Sequence, residues 1–295
     1  MHVCVFGAGS LGSLVGGLLA TATEVTLVGR DPHVSAIQED GLQLTGECDL
    51  TVHPNAATAP PADADIAIVT VKSFDTEAAG EALAPLELAG ILSLQNGMGN
   101  EHTLVSICSA PVLAGTCTYG ARLVEPGVVE CTGLGDVTLG PYEGGKTALA
   151  DRLGACFSDS GFNTTVAVDM PRRLWTKLAV NAGINAPTAL ARVQNGELTA
   201  GPGRELATAA ARETAQVARE NDISLSDEDA IDRTLSVAEK TAANHSSMFQ
   251  DILAGNRTEI DAINGHVVDV ATTDVPVNQT ITRLVRTWEC GQGLR

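Results

Sequence analysis

Residues 2–12, HVCVFGAGSLG, constrain the fold of this chain more than any other stretch. An apolar run typical of a buried strand leads directly into Gly7, Gly9 and Gly12, and residues 10–20 then follow the pattern of a helix. In such a G-x-G-x-x-G series the first glycine permits a tight turn, the second lets a pyrophosphate approach the backbone, and the third lets helix and strand pack closely. Because a helix N-terminus attracts phosphate charge, this arrangement predicts a dinucleotide-binding site.

The first half of the chain alternates between strand-like and helix-like patterns. Three further apolar, β-branched runs each precede a helix-compatible stretch, at residues 24–30, 64–73 and 90–97. This alternation indicates a parallel sheet with helices on both faces. From about Val112 to Leu139, glycines, prolines and short apolar runs predict an antiparallel extension of that sheet. We therefore expect an α/β fold with an N-terminal Rossmann-type doubly wound sheet.

The second half changes character after Asn163 and has few strand signals. Helical periodicity is present at residues 170–191, 204–221, 227–243 and 246–272. We expect a dinucleotide-binding domain over residues 1–167 and an all-α substrate-binding and catalytic domain over residues 168–295.

The composition excludes several classes of partner. The formal net charge is −18, from 36 acidic and 18 basic residues, whereas nucleic-acid-binding proteins usually carry a basic patch. No apolar run reaches the roughly 20 residues of a membrane span, and the start MHVCVF lacks a basic leader, so we expect a cytoplasmic protein without membrane contacts. The acidity serves either general solubility or a salt-rich cytoplasm, and the sequence leaves both open.

Neither cysteines nor histidines follow a metal-binding pattern. The seven cysteines include no C-x-x-C pair and several stand within apolar runs, as small buried hydrophobic residues do. The six histidines show no H-E-x-x-H spacing. We therefore expect no metal site.

The end of the second strand bears on the choice of cofactor. The strand ends about 20 residues after the glycine series, in Gly29-Arg30-Asp31. An acidic residue at this place binds the ribose 2′-hydroxyl of NAD, whereas an arginine accommodates the 2′-phosphate of NADP. Arg30 thus favours NADPH. NADH stays open, because a one-residue shift of the strand end would place Asp31 there instead.

A line of three polar side chains marks the helix within WTKLAVNAGINAPTAL, residues 175–190. Lys177, Asn181 and Asn185 recur every fourth residue and therefore share one face. Asparagine is a middling helix former, and its amide can both donate to and accept from a ligand. We expect a ligand on this face, at the wall of a cleft between the domains; a hydrated face with a lysine stem over apolar surface is the alternative. Gly183 indicates close approach of a ligand or of another backbone.

Six motifs in register resemble the ketopantoate reductase family: GAGSLG (7–12), VKSFDT (71–76), QNGMGN (95–100), WTKLAVNAGINAPTAL (175–190), QNGEL (194–198) and SSMFQDILAGNRTEIDAINGHVV (246–268). Members of that family have an N-terminal Rossmann domain and a C-terminal helical domain. The resemblance implies an NADP-dependent oxidoreductase that transfers hydride from NADPH to the C2 ketone of 2-dehydropantoate. The product would be (R)-pantoate, on the route to pantothenate and coenzyme A.

The resemblance also implies roles for individual residues. Lys177 matches the general acid of the family, and Glu259 matches the carboxylate that helps to hold substrate and lysine. Positions implied to contact the substrate are Lys72, Asn96, Asn181, Asn185, Asn195, Asn244 and Ser247. Positions implied to contact the cofactor are Gly7, Ala8, Gly9, Ser10, Leu11, Gly12 and Arg30, together with Lys72, Asn96 and Glu259. Taken alone, Ser247 would be a helix-start cap, and Asn96-Gly97 a turn.

Chemical reasoning independent of the family supports an acid near the substrate. Hydride addition to a ketone places negative charge on its oxygen, which a proton donor such as Lys177 must neutralise. Two alternatives stay open: another 2-hydroxyacid or opine-type reductase, and a dinucleotide-sensing domain without catalysis. The expected partner is a small 2-keto acid. The sequence does not decide between a monomer and a homodimer.

Overall fold

The computed structural model describes all 295 residues, which divide into two compact units. The first unit comprises Met1–Gln95 and Asn100–Met170, and the second comprises Asn96–Gly99 and Pro171–Arg295. The domain boundary after residue 167 stays a prediction. No sequence pattern indicated that residues 96–99 group with the helical half.

The first unit contains twelve strands and five helices. The strands are β1 (His2–Phe6), β2 (Glu24–Val28), β3 (Leu42–Gly46), β4 (Leu50–Val52), β5 (Asn55–Ala57), β6 (Ile66–Val69), β7 (Gly90–Ser93), β8 (Val112–Cys117), β9 (Gly120–Glu125), β10 (Val128–Gly133), β11 (Asp136–Pro141) and β12 (Asn163–Val166). The helices are α1 (Ser10–Leu19), α2 (His33–Asp40), α3 (Thr76–Leu83), α4 (Asn100–Ile107) and α5 (Ala148–Asp159).

The main sheet has eight strands in the order β12-β11-β8-β7-β6-β1-β2-β5. From β5 to β8 the strands are parallel and follow the order 3-2-1-4-5-6 of a doubly wound dinucleotide-binding sheet. Strands β6 and β7 are buried along their whole length, which explains their uninterrupted apolar sequences. The pairing of β11 with β8 is antiparallel. The predicted Rossmann-type fold and its antiparallel extension are both confirmed.

A second sheet, in the order β4-β3-β10-β9, has no counterpart in the sequence-based expectation. Its buried side chains include Leu42, Leu44 and Val129, which join the main core of the first unit. A side chain added at Gly17 of α1 would lie 2.9 Å from Leu42, so α1 packs closely on this sheet. Strands β4 and β9 carry no fully buried residue, and their alternation is too weak to indicate a strand from sequence.

The second unit consists of helices: α6 (Met170–Ala191), α7 (Gly201–Glu220), α8 (Asp227–Lys240), α9 (Ser247–Ala254), α10 (His266–Val270) and α11 (Pro276–Gly291). The predicted all-α character is confirmed, and α6 spans the predicted residues 170–191. None of the helices combines the length and the apolarity that crossing a bilayer requires.

The single helix predicted over residues 246–272 is wrong. Helix α9 ends before Gly255, which adopts the left-handed conformation with φ +68° and thereby closes the helix. The chain resumes as a π-helix at Asp261–Gly265 and continues into α10. The amphipathic pattern runs through the break because both pieces bury their apolar side chains in the same core.

Gly183 lies where α6 meets two other helices. A side chain there would lie 2.7 Å from Thr234 Cγ2 of α8 and 2.9 Å from the Ala207 carbonyl oxygen of α7. Of the two explanations left open for this glycine, the structure shows close approach by another backbone.

Candidate functional site

The glycine series forms a tight loop between β1 and α1. Gly7 has φ +115°, and a side chain there would lie 2.6 Å from the Val71 nitrogen. A side chain at Gly12 would lie 2.2 Å from the Gly7 carbonyl oxygen. At Gly9, by contrast, the nearest atom to an added side chain would be the Gly7 oxygen at 4.0 Å, so this position faces open space. Gly7 and Gly12 thus have the steric roles that the sequence pattern predicted, and the approach of a pyrophosphate at Gly9 stays a prediction.

The backbone amides of this loop and of the first turn of α1 fall into two groups. The N–H groups of Gly7 and Ala8 donate to the Val28 carbonyl oxygen, at 2.9 and 2.8 Å, which fixes the loop to the end of β2. The first bond of the α1 ladder runs from the Ser13 N–H to the Gly9 oxygen, so the amides of residues 10–12 precede it. The first turn contains no acidic residue. This helix terminus therefore fits the pyrophosphate of a dinucleotide.

Arg30 and Asp31 follow β2 and have different environments. The Arg30 side chain is 90 % exposed, and one guanidinium nitrogen lies 3.5 Å from Asp75 Oδ2. Asp31 Oδ1 accepts hydrogen bonds from the Ser35 N–H at 3.2 Å and the Ser35 hydroxyl at 2.8 Å. The Asp31 carboxylate is thus engaged within the start of α2, whereas the Arg30 guanidinium is open to a ligand.

Lys72 is half-buried and lies three residues beyond the end of β6, although the strand-like run at residues 64–73 includes it. It precedes a single 3-10 turn, Ser73–Asp75. Buried Gln95 fixes this segment, because its Nε2 donates to the Val71 carbonyl oxygen at 3.0 Å and to Thr76 Oγ1 at 2.7 Å.

Asn96 is half-buried and lies beyond the end of β7, in the short segment of the second unit. The Met98 N–H donates to the Ala262 carbonyl oxygen at 2.8 Å. Gly97 has φ +80°, and an added side chain would lie 2.6 Å from Ala262. The turn that N-G predicts is therefore present, and it packs against the π-helix.

The polar line on α6 lies on one continuous helix. Lys177 and Asn181 are half-buried, and Asn185 is 7 % exposed. Because α6 is helical from Met170 to Ala191, the four-residue spacing places the three side chains on one face.

Ser246, which sequence reasoning missed, connects α9 to α6 next to Asn185. Its hydroxyl donates to the Asn185 carbonyl oxygen at 3.2 Å and lies 2.8 Å from Thr188 Oγ1. It also accepts from the Phe249 N–H, as a helix N-cap does. The cap is therefore Ser246, and the neighbouring Ser247 is exposed at the first position of α9. The double serine before an apolar helix was the available signal.

Asn195 and Asn244 are neighbours in space. The Asn195 N–H donates to the Asn244 carbonyl oxygen at 3.0 Å. The Asn195 side chain is 6 % exposed and donates through Nδ2 to Thr241 Oγ1 at 2.9 Å, while its Oδ1 is buried without a hydrogen bond in the protein. Asn244 is exposed.

Glu259 is 5 % exposed and lies two residues before the start of the π-helix. The residue before it is fixed by the fully buried Glu289, whose Oε1 accepts from the Thr258 N–H at 2.8 Å and the Thr258 hydroxyl at 2.7 Å. The Gly265 N–H then donates to the Ile260 carbonyl oxygen at 2.8 Å, five residues back, which is the π-helical bond. Such local widening of a helix is frequent at functional sites.

Arginines surround the start of this π-helix. Burial would raise the pKa of Asp261, but hydrogen bonds from Arg295 and Arg286 outweigh that effect and lower the pKa. Arg295 also donates to Glu289 Oε2 at 3.0 Å. One network of charged side chains therefore fixes the backbone on both sides of Glu259.

His266 is a further polar residue near the start of α6 that the sequence did not single out. Its ring centroid lies 5.9 Å from that of Trp175, two positions before Lys177. Burial lowers the pKa of His266, although Asp269 acts in the opposite direction. This lowered pKa favours the neutral imidazole.

Comparison with known proteins identifies similar chains along the whole length. The family model "Ketopantoate reductase PanE/ApbA" matches residues 3–144, and "Ketopantoate reductase PanE/ApbA C terminal" matches residues 169–289. The 2-dehydropantoate 2-reductase of Halobacterium salinarum is 44% identical over an alignment that covers 97% of this chain and 98% of that protein.

Two solved structures share the fold. A PanE/ApbA family ketopantoate reductase from Ralstonia eutropha JMP134 superposes with a TM-score of 0.91 at 32% identity, covering 99% of this chain and 100% of that chain. D-mandelate dehydrogenase, in a ternary structure with NADH and anilino(oxo)acetate, superposes with a TM-score of 0.93 at 26% identity and covers both chains fully (100%).

Proposed function

Since the chain belongs to the ketopantoate reductase family, we propose that it reduces 2-dehydropantoate to (R)-pantoate with a nicotinamide dinucleotide, in the biosynthesis of pantothenate and coenzyme A. The observation that carries the proposal is the 44% identity to a 2-dehydropantoate 2-reductase over nearly the full length of both chains. The glycine loop of the first unit and the line of Lys177, Asn181 and Asn185 in the second supply the chemical groups that this reaction requires.

NADPH is the cofactor that the residues after β2 favour. The amides at the start of α1 fit a pyrophosphate, which NADH and NADPH share. Arg30 is exposed and can accept a 2′-phosphate, whereas the Asp31 carboxylate, the group that would bind a 2′-hydroxyl, already accepts two hydrogen bonds from Ser35. When bound, the dinucleotide supplies the hydride.

Lys177 serves as the general acid in the proposed mechanism. Hydride addition to C2 leaves negative charge on the former ketone oxygen, and the Lys177 ammonium donates a proton to that oxygen. Solvent then restores the proton on the lysine. The Glu259 carboxylate holds substrate and lysine, and its charge favours the ammonium form before the transfer.

The amides orient the substrate in this mechanism. Asn181 and Asn185 each present a donor and an acceptor to the carboxylate and hydroxyl of the keto acid. Ser247, Asn195 and Asn244 are assigned to further substrate contacts. Lys72 and Asn96, both half-buried, are assigned to the junction of cofactor and substrate. The unpaired Oδ1 of Asn195 is consistent with a hydrogen bond that only a ligand completes.

A second candidate function is reduction of a different 2-keto acid. It is favoured by the TM-score of 0.93 to D-mandelate dehydrogenase, which shows that this fold also serves another 2-hydroxyacid substrate. An opine-type reductase is a further alternative in the same class.

The decisive experiment follows NADPH and NADH oxidation at 340 nm with 2-dehydropantoate, and NAD+ reduction with D-mandelate as the comparison. The proposal expects turnover with 2-dehydropantoate and a higher kcat/KM with NADPH. Turnover with D-mandelate but none with 2-dehydropantoate would overturn it in favour of the second candidate. The choice between monomer and homodimer stays open, and light scattering after gel filtration decides it; a cytoplasmic location stays a prediction.

A further inference from the structure

The ion pair between Arg30 and Asp75 stands at the predicted 2′-end of the nucleotide site. The two residues are 45 positions apart in sequence, and the guanidinium nitrogen lies 3.5 Å from Asp75 Oδ2. Arg30 is 90 % exposed and Asp75 37 %. Asp75 is the carboxylate within ion-pair distance of Arg30, and Oδ1 of the adjacent Asp31 accepts hydrogen bonds from Ser35 instead.

Asp75 is held in place by the backbone and by its neighbours. Its N–H donates to the Lys72 carbonyl oxygen at 2.9 Å. The next residue, Thr76, is 2 % exposed and is fixed by the hydrogen bond from Gln95. Asp75 occupies the N-cap position of α3, yet its carboxylate makes no capping bond to that helix. The carboxylate therefore faces Arg30 instead of satisfying its own helix end.

This geometry gives Arg30 two competing anionic partners when a 2′-phosphate is present. A phosphate that binds the guanidinium must share it with the Asp75 carboxylate, which also repels the phosphate charge. A ribose 2′-hydroxyl meets no such repulsion, and a carboxylate is a suitable acceptor for it.

We propose that Asp75 is a specificity-determining residue, which weakens binding of the 2′-phosphate at Arg30 and so keeps NADH usable. The inference rests on the cofactor site of the proposed function. Because the pair is solvent-exposed, the effect is modest: removing the Asp75 charge strengthens NADP+ binding by about two- to fivefold. NAD+ binding does not gain, so selectivity moves toward NADP+.

The test is isothermal titration of NADP+ and of NAD+ into wild type, Asp75→Asn, Glu77→Gln and Arg30→Ala. Glu77 is the matched control, because it is exposed, lies two residues further along, and has no ion pair with Arg30. We expect the ratio of the two dissociation constants to shift toward NADP+ in Asp75→Asn and to stay near the wild-type ratio in Glu77→Gln. In Arg30→Ala the preference for NADP+ should fall.

Equal shifts in Asp75→Asn and Glu77→Gln would overturn the inference in favour of a general field effect of the acidic surface. So would an unchanged ratio in Asp75→Asn, an unchanged NADP+ affinity in Arg30→Ala, or failure of the wild type to bind NADP+. The titrations do not depend on turnover. A protein that binds both nucleotides but does not reduce 2-dehydropantoate therefore refutes the proposed function alone.

Discussion

At the scale of single residues, Lys177 carries the sharpest claim about chemistry. We predict that Lys177→Ala lowers kcat with 2-dehydropantoate by roughly 10²-fold or more, because the developing alkoxide loses its proton donor. Titration with NADP+ should give an unchanged affinity. The control is Lys240→Ala, in the last turn of α8, which should leave kcat unaffected. A kcat in Lys177→Ala equal to that of the wild type would exclude the lysine as the acid. If the wild-type protein binds nucleotide but shows no turnover, the dinucleotide-sensing alternative is supported.

His33 gives a prediction about stability and pH. Its Nδ1 accepts from the Gly127 N–H at 2.9 Å, so the ring proton lies on Nε2, which is 2.8 Å from Ser13 Oγ. Burial lowers the pKa of His33. The unfolded chain therefore binds the extra proton first, and stability is lost as the pH falls below the ordinary histidine pKa of about 6.5.

The corresponding measurement is urea unfolding between about pH 7.5 and 5, where one such group changes the free energy of unfolding by at most about 1.4 kcal/mol per pH unit. His33→Asn keeps an acceptor near the Nδ1 position but does not titrate. In this variant the free energy of unfolding should therefore change less steeply with pH than in the wild type. His102→Asn, at an exposed site on α4, should retain the wild-type slope. Identical slopes in wild type and His33→Asn would contradict the assignment.

At the scale of elements, the π-helix and the network that anchors it form one unit. Glu289→Gln keeps the shape of the side chain but removes the charge that pairs with Arg295, while the Thr258 bonds weaken. We predict a loss of about 1–3 kcal/mol in the free energy of unfolding, and a raised KM for 2-dehydropantoate because Glu259 is less well fixed.

The readout that separates positioning from general damage is the KM for 2-dehydropantoate measured well below the Tm of Glu289→Gln, where the variant is folded and a raised KM reflects the position of Glu259. Glu205→Gln, at an exposed position of α7, is the matched control and should change neither stability nor KM. An unchanged KM in a destabilised Glu289→Gln protein would leave Glu289 with a purely structural role.

Helices and strands could be predicted where their sequence pattern continues over many consecutive residues and depends only on neighbouring residues. Helix α6 was predicted over its full extent, because 22 residues give the apolar periodicity ample length. The break at Gly255 was missed, because the apolar pattern continues across it and a single glycine within such a pattern is ambiguous. The strand predicted over residues 64–73 was too long, since the residues between Val69 and Lys72 resemble a strand but lie outside the sheet, before the 3-10 turn at Ser73–Asp75.

At the scale of the whole molecule, the doubly wound parallel sheet followed from alternation and from the glycine loop, whereas contacts between distant segments did not. The grouping of Asn96–Gly99 with the helical unit depends on the bond from Met98 to Ala262, which no local pattern encodes. For the candidate site, the common face of Lys177, Asn181 and Asn185 followed from spacing alone. The role proposed for Glu259 came from family resemblance, and the Arg30–Asp75 pair required the fold.

The net charge of −18 is a property of the whole chain and leads to a prediction about salt. Because acidic residues are twice as numerous as basic ones, repulsion between like charges opposes the compact state. Added salt weakens this repulsion, because the Debye length shrinks from about 10 Å at 0.1 M to about 3 Å at 1 M. We therefore expect the Tm at pH 7.5 to rise by several degrees over this range of NaCl, most steeply at the low end. Calorimetry at both salt concentrations measures it.

The control is the same titration close to the sequence pI of about 4.6, where the net charge is small and the salt dependence should largely disappear. A rise of equal size at both pH values would point to salt exclusion from the protein surface instead of screening, since exclusion acts without regard to net charge. A Tm that is flat or falls with NaCl at pH 7.5 would show that the acidic surface does not limit stability. The acidity would then serve solubility alone, and a salt-rich cytoplasm would no longer be needed to explain it.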